Sequence, residues 1–228
     1  LATGAHARLP ETPAGMAPAS PVHLAVPIVA LAAVALTVVG MFAPVPGGGM
    51  DLKAWFGWHP VLMSLAFPCL MPLGRFPYLA GEGLEPGSRR AVHGAIMALA
   101  TVAMLLGYLC IFKAHWPAKK FFGYDFKNGQ WAPYLRIIHV YLGYLLIAAV
   151  LAQAAMGALK MNLLGKGQRA FTFHGQLGKA IVIFGLANTL VAIRFWGWAL
   201  SLKVPLYAVT ILAGLLGVVW PRPTSGEE

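Results

Sequence analysis

Apolar residues along this chain form long uninterrupted blocks, separated by short stretches rich in Gly, Pro and charged residues. Six of the blocks approach the length of about 20 residues that a helix needs to cross the hydrocarbon core of a bilayer. They cover residues 22–42, 58–76, 90–112, 133–159, 170–193 and 202–220. The pattern therefore predicts an all-α membrane protein with six transmembrane helices.

The two ends of the chain lack this pattern. Residues 1–21 are rich in Ala, Pro and Gly and are predicted to form an extended N-terminal tail, and residues 221–228 form a short C-terminal tail. Residues 22–220 then make a single membrane domain. The sequence begins at Leu1 and not at Met, so we expect that a targeting segment such as a signal or transit peptide has been removed.

Composition agrees with a lipid environment. Hydrophobic residues make up 59% of the 228 residues and charged residues only 11%, whereas about a quarter of the residues in soluble domains are charged. The net charge of +10 does not indicate nucleic-acid binding, because Lys and Arg lie singly or in pairs at the ends of apolar blocks, where interfacial anchors belong. They divide equally between the two predicted faces, so they do not fix the orientation.

Four histidines lie where ionisable residues are costly. His59, His93, His139 and His174 each lie near the start of one of the predicted helices two to five. A single histidine there could be a core residue bonded to a backbone carbonyl. One histidine on each of four consecutive helices instead favours a shared function, because ionisable residues inside a membrane commonly mark functional sites.

The directions of the helices sort these histidines into pairs. Consecutive spans are antiparallel, so His59 and His139 lie near one face of the membrane. His93 and His174 lie near the opposite face, on the side of the two chain termini. The sequence thus predicts two histidine pairs stacked in a central four-helix bundle of helices two to five.

Haem is the group that suits such pairs. Two histidines without a nearby carboxylate or thiolate make a poor zinc site, whereas haem needs only axial ligands. The pattern His-x-x-Leu-Gly places Gly143 after His139 and Gly178 after His174, and a glycine leaves room for a flat ring close to the backbone. We expect two haems b with saturated irons, which favours electron transfer over oxygen activation.

Four motifs resemble the ligand helices of the cytochrome b561 family. The stretch Trp58-His59-Pro-Val-Leu-Met-Ser-Leu-Ala-Phe67 is similar to the second helix of that family. The other motifs are Arg90-Ala-Val-His93, Ile138-His139-Val-Tyr-Leu-Gly143 and Phe173-His174-Gly-Gln-Leu-Gly178. The resemblance covers roughly residues 22–220.

The resemblance implies six helices with two haems b in the central four. It also implies that His59 pairs with His139 and that His93 pairs with His174. The implied activity is electron transfer across the membrane, from ascorbate to monodehydroascorbate or ferric chelates, with cytoplasmic termini. We expect a multi-pass protein of an organelle or endomembrane.

Basic residues are the candidates for substrate binding. Family members that use ascorbate carry Lys residues upstream of the third-helix histidine, where this chain has Arg89 and Arg90. Lys166 and Arg169 precede His174, and antiparallel pairing brings both clusters to the terminus face. We expect a donor site there, with interfacial anchoring as the alternative. His115 loosely matches a substrate-side histidine of the family, in a loop that is longer than usual.

Further polar residues lie within the spans. Gln153 and Asn188 each follow a histidine of their own helix by fourteen residues, nearly four helical turns and about 21 Å. Each could bond a propionate or an axial imidazole of the other haem, or make an ordinary interhelical hydrogen bond. Lys179 could neutralise a propionate or extend to the interface. Arg136, one turn before His139, could serve the other haem in the same way.

Three functions remain open at this point. The first is a free-standing ascorbate-linked transmembrane oxidoreductase. The second is a haem-carrying accessory subunit of a larger organellar membrane complex, respiratory or photosynthetic. The third is a transporter or scaffold without haem. The expected partners are the lipid bilayer and a small electron donor, and a homodimer or membership of a larger complex also remains open.

Overall fold

The computed structural model describes residues 21–80 and 84–219, and within them six helices are long and apolar enough to cross a membrane. We call them spans one to six. Their bounds are Leu24–Phe42, Trp55–Leu79, Pro86–His115, Tyr134–Gly165, His174–Phe195 and Leu200–Val219.

Two of the spans contain π-helical turns. Span two consists of the α-helices Trp55–Ser64 and Met71–Ala80 joined by the π-helical segment Leu65–Leu70, and span six continues from the α-helix Leu200–Gly214 into the π-helical segment Leu215–Val219. The first π segment contains Pro68, which has no backbone N–H to donate. A π turn contains more residues than an α turn. The additional residue lies between the two α-helical parts of span two.

The number and order of the predicted helices are confirmed, and the differences lie at their ends. The first helix begins at Pro21, which the sequence analysis had placed in the N-terminal tail. The rest of both predicted tails lies outside the described residues, in 1–20 and 220–228. Span three extends to His115, so this histidine ends a helix and is not in the loop. Span five begins at His174 and not at residue 170, since Phe171 has a φ of 54° that a right-handed helix cannot contain.

The spans pack in neighbouring pairs. Span two packs on span three, span four on span five, and span one on span six. A buried cluster that includes Phe67, Met104, Leu146 and Leu186 fills the middle of spans two to five. Apolar side chains such as Leu24 and others on the outer surfaces of the helices remain exposed, which suits a bundle surrounded by lipid. The fold is therefore a four-helix bundle of spans two to five, with spans one and six packed alongside it.

A small β-sheet connects spans three and four. Strands β1 Lys120–Phe121, β2 Tyr124–Asp125 and β3 Gln130–Trp131 pair antiparallel in the order β1-β2-β3. The sequence predicted only a loop here, because strands of two residues are too short to show an alternating pattern. We call residues 120–131 the meander.

One carboxylate organises the meander. Asp125 accepts hydrogen bonds from the backbone N–H groups of Lys127 at 3.0 Å and Asn128 at 3.1 Å, and from the Asn128 amide at 3.0 Å. Its other partner is Lys120, whose Nζ lies 3.3 Å from the carboxylate. The turns and the first strand of the meander thus share one anchoring side chain.

Replacing Gly185 by Ala should destabilise the bundle. A Cβ at this position would overlap the Phe67 ring in the core, and overpacking of this kind typically costs about 1–3 kcal/mol. We expect a lower midpoint of thermal unfolding in detergent. Gly165→Ala is the matched control, because nothing lies within 4 Å of the Cβ that it would add. Equal stability of the two variants would contradict the packing described here.

Candidate haem-binding site

The fold brings the four histidines together as two facing pairs. The ring centroids of His59 and His139 lie 6.2 Å apart, and those of His93 and His174 lie 6.4 Å apart. Two imidazoles that face one metal with bonds of about 2.0–2.1 Å have their centroids about 6.3 Å apart. Both separations therefore match the spacing expected for two ligands of one iron. These are the same two pairs that the antiparallel order of the spans predicted.

Backbone carbonyls hold three of the rings in one tautomer. The Nδ1 atoms of His59 and His93 donate to the carbonyl oxygens of Gly107 at 2.9 Å and Gly74 at 2.7 Å. The Nδ1 atom of His139 donates to the carbonyl oxygen of Asn188 at 3.3 Å. A ring that carries its proton on Nδ1 has its lone pair on Nε2, where a metal can bind.

Bare metal ions fit this bundle less well than haem. Among residues 21–80 and 84–219 there is no group of three or more His, Cys, Asp or Glu side chains that could hold a metal ion. Zinc favours about four protein ligands, whereas a haem iron needs only the two that each pair supplies.

A large cavity surrounds the pair formed by His59 and His139. Its volume is about 620 Å³, within the range of about 300–1,000 Å³ that is usual for sites of small molecules and cofactors. Its walls are mainly apolar, and basic groups of the meander and the adjoining helix ends also line it, among them Lys120 and Arg136. An apolar cleft with cationic groups suits a flat hydrophobic group that carries carboxylates.

His115 lies at this same cavity. It is the last residue of span three, and its ring centroid lies 6.2 Å from that of Phe56. Arg136 also lines the cavity, and its guanidinium carbon lies 5.7 Å from the centroid of the Phe195 ring. His115 is therefore at the membrane face opposite to the arginines that precede His93.

The expected donor residues lie at the terminus face. Arg89 and Arg90 are half-buried in the first turns of span three, and Arg89 donates from Nε to the carbonyl oxygen of Leu84 at 2.8 Å. Lys166 and Arg169 are exposed in the turn that leads to span five. The connectivity thus brings these four cations to the face of the pair formed by His93 and His174.

The sequence analysis missed Lys160 as a member of this group. Its Nζ lies 3.4 Å from the carbonyl oxygen of Phe171, in the turn just before His174. A signal was available: Lys160 follows His139 by nearly six full turns of one helix, which returns it to a similar side of span four at the other membrane face.

Asn188 and Gln153 each make a hydrogen bond with a histidine of the other pair, Asn188 through its backbone and Gln153 through its side-chain amide. The backbone of Asn188 accepts from His139, and the Nε2 atom of Gln153 donates to the backbone carbonyl oxygen of His174 at 2.6 Å. The sequence had placed each amide at this depth. Lys179 is half-buried in span five, a little more than one turn after His174.

The glycines that follow two of the histidines make room for these amides. A Cβ at Gly178 would lie 3.0 Å from Nε2 of Gln153, and a Cβ at Gly143 would lie 3.6 Å from Nδ2 of Asn188. In the polypeptide itself, therefore, the nearest group to each glycine is an amide of the neighbouring helix.

Three buried polar atoms beside the histidines have no hydrogen-bond partner. They are Oε1 of Gln153, Nδ1 of His174 and Oδ1 of Asn188. Leaving a buried polar atom unpaired costs about 1–3 kcal/mol, and such atoms commonly mark a functional site or a missing bound group. With the ring separations and the cavity, they make the residues of this bundle fit a bound haem.

Six apolar spans around facing imidazole pairs define a class, the helical membrane proteins that bind haem. A family model described as eukaryotic cytochrome b561 matches residues 58–199, a stretch that runs from within span two to the start of span six and contains all four histidines. The chain belongs to the cytochrome b561 family. Comparison with curated proteins gave no significant match.

Family membership establishes the general activity. The protein is a multi-pass integral membrane protein that binds haem b and carries out haem-dependent electron transfer across the membrane. The spans contact the lipid bilayer, and the activity is that of a transmembrane oxidoreductase.

Asp125→Asn should loosen the meander. Desolvation acts to raise the pKa of Asp125, but the hydrogen bonds from Asn128, Lys120 and Lys127 outweigh it and hold the pKa below its usual value. The stabilisation is therefore present at neutral pH and is lost as the pH falls through the lowered pKa. The asparagine imitates the protonated acid at neutral pH, so we expect faster tryptic cleavage at the lysines of the meander.

Asp51→Asn is the control for this experiment. The Asp51 carboxylate accepts from the backbone N–H of Lys53 at 2.7 Å in a different loop, so its loss should leave cleavage of the meander unchanged. Equal cleavage of the meander in parent and Asp125→Asn would show that Asp125 does not anchor it.

Proposed function

We propose that the chain binds two haems b, one between His59 and His139 and one between His93 and His174, and passes electrons from ascorbate to monodehydroascorbate or ferric chelates. The observation that supports this most directly is the pair of imidazole sites at opposite ends of one bundle, each with a ring separation that fits two axial ligands.

The residues of the chain would position each haem, fix which nitrogen of the histidine rings carries the proton, and disfavour oxygen chemistry. When bound, each haem supplies a one-electron iron couple. The carbonyl oxygens of Gly107, Gly74 and Asn188 fix the protons of three rings on Nδ1, which directs Nε2 to the iron. The two histidines at each site would hold the haem, and a haem held in this way would favour electron transfer over oxygen binding.

The terminus face offers the better site for an ascorbate anion. Arg89, Arg90, Lys166 and Arg169 are cations near the pair formed by His93 and His174, and Lys160 adds another charge beside His174. Several cations grouped at one face attract an anion and raise its rate of encounter. We assign the donor to this face.

The opposite face has a different set of basic groups. His115, Lys120 and Arg136 line the cavity around His59 and His139, and the Lys120 charge is partly balanced by Asp125. An anionic acceptor such as monodehydroascorbate or a ferric carboxylate chelate would meet positive charge here. We assign the acceptor to this face.

The first test is haem content and pairing. Pyridine haemochrome analysis should give two haems b per chain with low-spin spectra. His59→Ala and His139→Ala should each lose one and the same haem, while His93→Ala and His174→Ala should each lose the other. One haem per parental chain, or loss of different haems within a pair, would overturn the assignment.

The second test addresses the donor. Replacing Arg90 and Arg169 together by Gln should slow haem reduction by ascorbate several-fold and weaken its dependence on salt, since salt screens the attraction, while both haems remain bound. The control is the double change of Arg194 and Lys203 to Gln, which removes the same charge from the opposite face, where Lys203 donates to the carbonyl oxygen of Arg194 at 3.3 Å.

Reduction of the Arg90 and Arg169 variant at the parental rate would place the donor site elsewhere. A parent that ascorbate does not reduce would remove ascorbate as the donor and favour the accessory-subunit function. In that case, the native mass in mild detergent would show whether the chain belongs to a larger complex.

A further inference from the structure

The hydrogen bonds of the axial histidines follow one positional rule. His59 donates to Gly107 on span three, which follows His93 by fourteen residues. His139 donates to Asn188 on span five, which follows His174 by fourteen residues. In both cases the acceptor lies on the neighbouring helix, at a fixed distance after the histidine of that helix.

The third histidine follows the same rule with an offset of one residue. His93 donates to Gly74 on span two, which follows His59 by fifteen residues. The π-helical segment Leu65–Leu70 lies between His59 and Gly74, and a π turn takes up an extra residue without advancing the helix by a full step. In spans two and three, each histidine therefore donates to a carbonyl oxygen that lies fourteen or fifteen residues after the histidine of the other span. His139 of span four donates to span five in the same way.

The same spacing points to one residue beside the fourth histidine, His174, whose Nδ1 atom has no partner. The residue that follows His139 by fourteen on span four is Gln153. Gln153 already contacts His174, since its Nε2 atom donates to the His174 carbonyl oxygen at 2.6 Å. Nδ1 of His174 and Oε1 of Gln153 are both buried and both without a partner, and the first can donate what the second can accept.

We propose that Gln153 is the positioning residue of His174, with Oε1 accepting the Nδ1 proton of the ring while Nε2 holds the backbone carbonyl of the same residue. The inference rests on the proposed function, in which His174 is an axial ligand. Gly178 supports it, because the lack of a side chain there lets the Gln153 amide lie against span five. Among the four histidines, His174 is then the one whose Nδ1 partner is a side chain.

This difference has a consequence for the haem of the terminus face. An acceptor at Nδ1 makes the imidazole a more basic ligand, and a more basic axial ligand stabilises ferric over ferrous iron and lowers the midpoint potential. Gln153 thus lowers the potential of the haem between His93 and His174. The other three bonds use carbonyl oxygens of the main chain.

The experiment is a redox titration of the purified protein with both haems bound, followed by absorption and by low-spin EPR. In Gln153→Leu the midpoint potential of the haem held by His93 and His174 should rise and its g values should shift. The haem held by His59 and His139 should keep its parental values. Asn162→Leu is the matched control, because it removes an exposed amide from the same span as Gln153, and no comparable rise is expected at either haem.

Gln153→Glu covers the case in which the leucine variant does not retain its haem. The ionised carboxylate loses the bond that Nε2 donates to the His174 carbonyl, but it is a stronger acceptor for the Nδ1 proton. The potential of the same haem should therefore fall, and its g values should shift in the opposite sense to those of the leucine variant. Parental g values in this variant would mean that the charge acts through space only, and would overturn the inference.

The two proposals fail in different ways. A parent with fewer than two haems overturns the proposed function and the inference with it. A parent with two haems, together with a loaded Gln153→Leu variant whose potentials and g values are parental, overturns the inference alone and leaves the haem assignment standing.

Discussion

The hydrogen bond from a histidine imidazole to an acceptor on the neighbouring helix is the interaction on which the rest of this structure depends. An imidazole N–H among apolar helices cannot be left without an acceptor at low cost, and water is absent from the hydrocarbon core. Gly74, Gly107 and Asn188 supply that acceptor from the main chain. Each bond fixes the height of one helix relative to its neighbour and sets the direction of a ring.

Those bonds also explain the choice of small residues near the site. Gly74 and Gly107 present carbonyl oxygens to the rings of other helices, and Gly178 admits an amide from span four. Close approach of two helices is the usual role of glycine in membrane bundles. Here the approach brings the helix backbones within hydrogen-bond distance of the histidines, so that helix packing and the orientation of the imidazole rings depend on the same residues.

Much of this arrangement could be predicted from the sequence, because the physical signals are long or repeated. A span of about 20 apolar residues is hard to mistake, and the antiparallel order of spans then determines which histidines share a face. The depth of Gln153 and Asn188 followed from the rise of a helix alone. The haem count, the identity of the ligands and the substrates remain predictions.

Other features left little or no signal in the sequence. The strands of the meander have two residues each, too few for any period to appear. The π turns depend on hydrogen bonding that composition does not reveal, and the late start of span five depends on the positive φ of Phe171. The contact of Lys160 with the turn before His174 could not be predicted, although its helical phase could, because only the folded chain defines the course of that turn.

The π-helical segment of span two changes the rotation of one end of the helix relative to the other end. Each residue of an α-helix turns the chain by about 100°. A regular helix with one residue fewer would cross the membrane over nearly the same distance. It would, however, rotate His59 away from the direction set by Gly74. The two histidine pairs are therefore linked by the winding of this helix as well as by proximity. A single inserted or deleted residue in span two would act on both faces of the membrane at once.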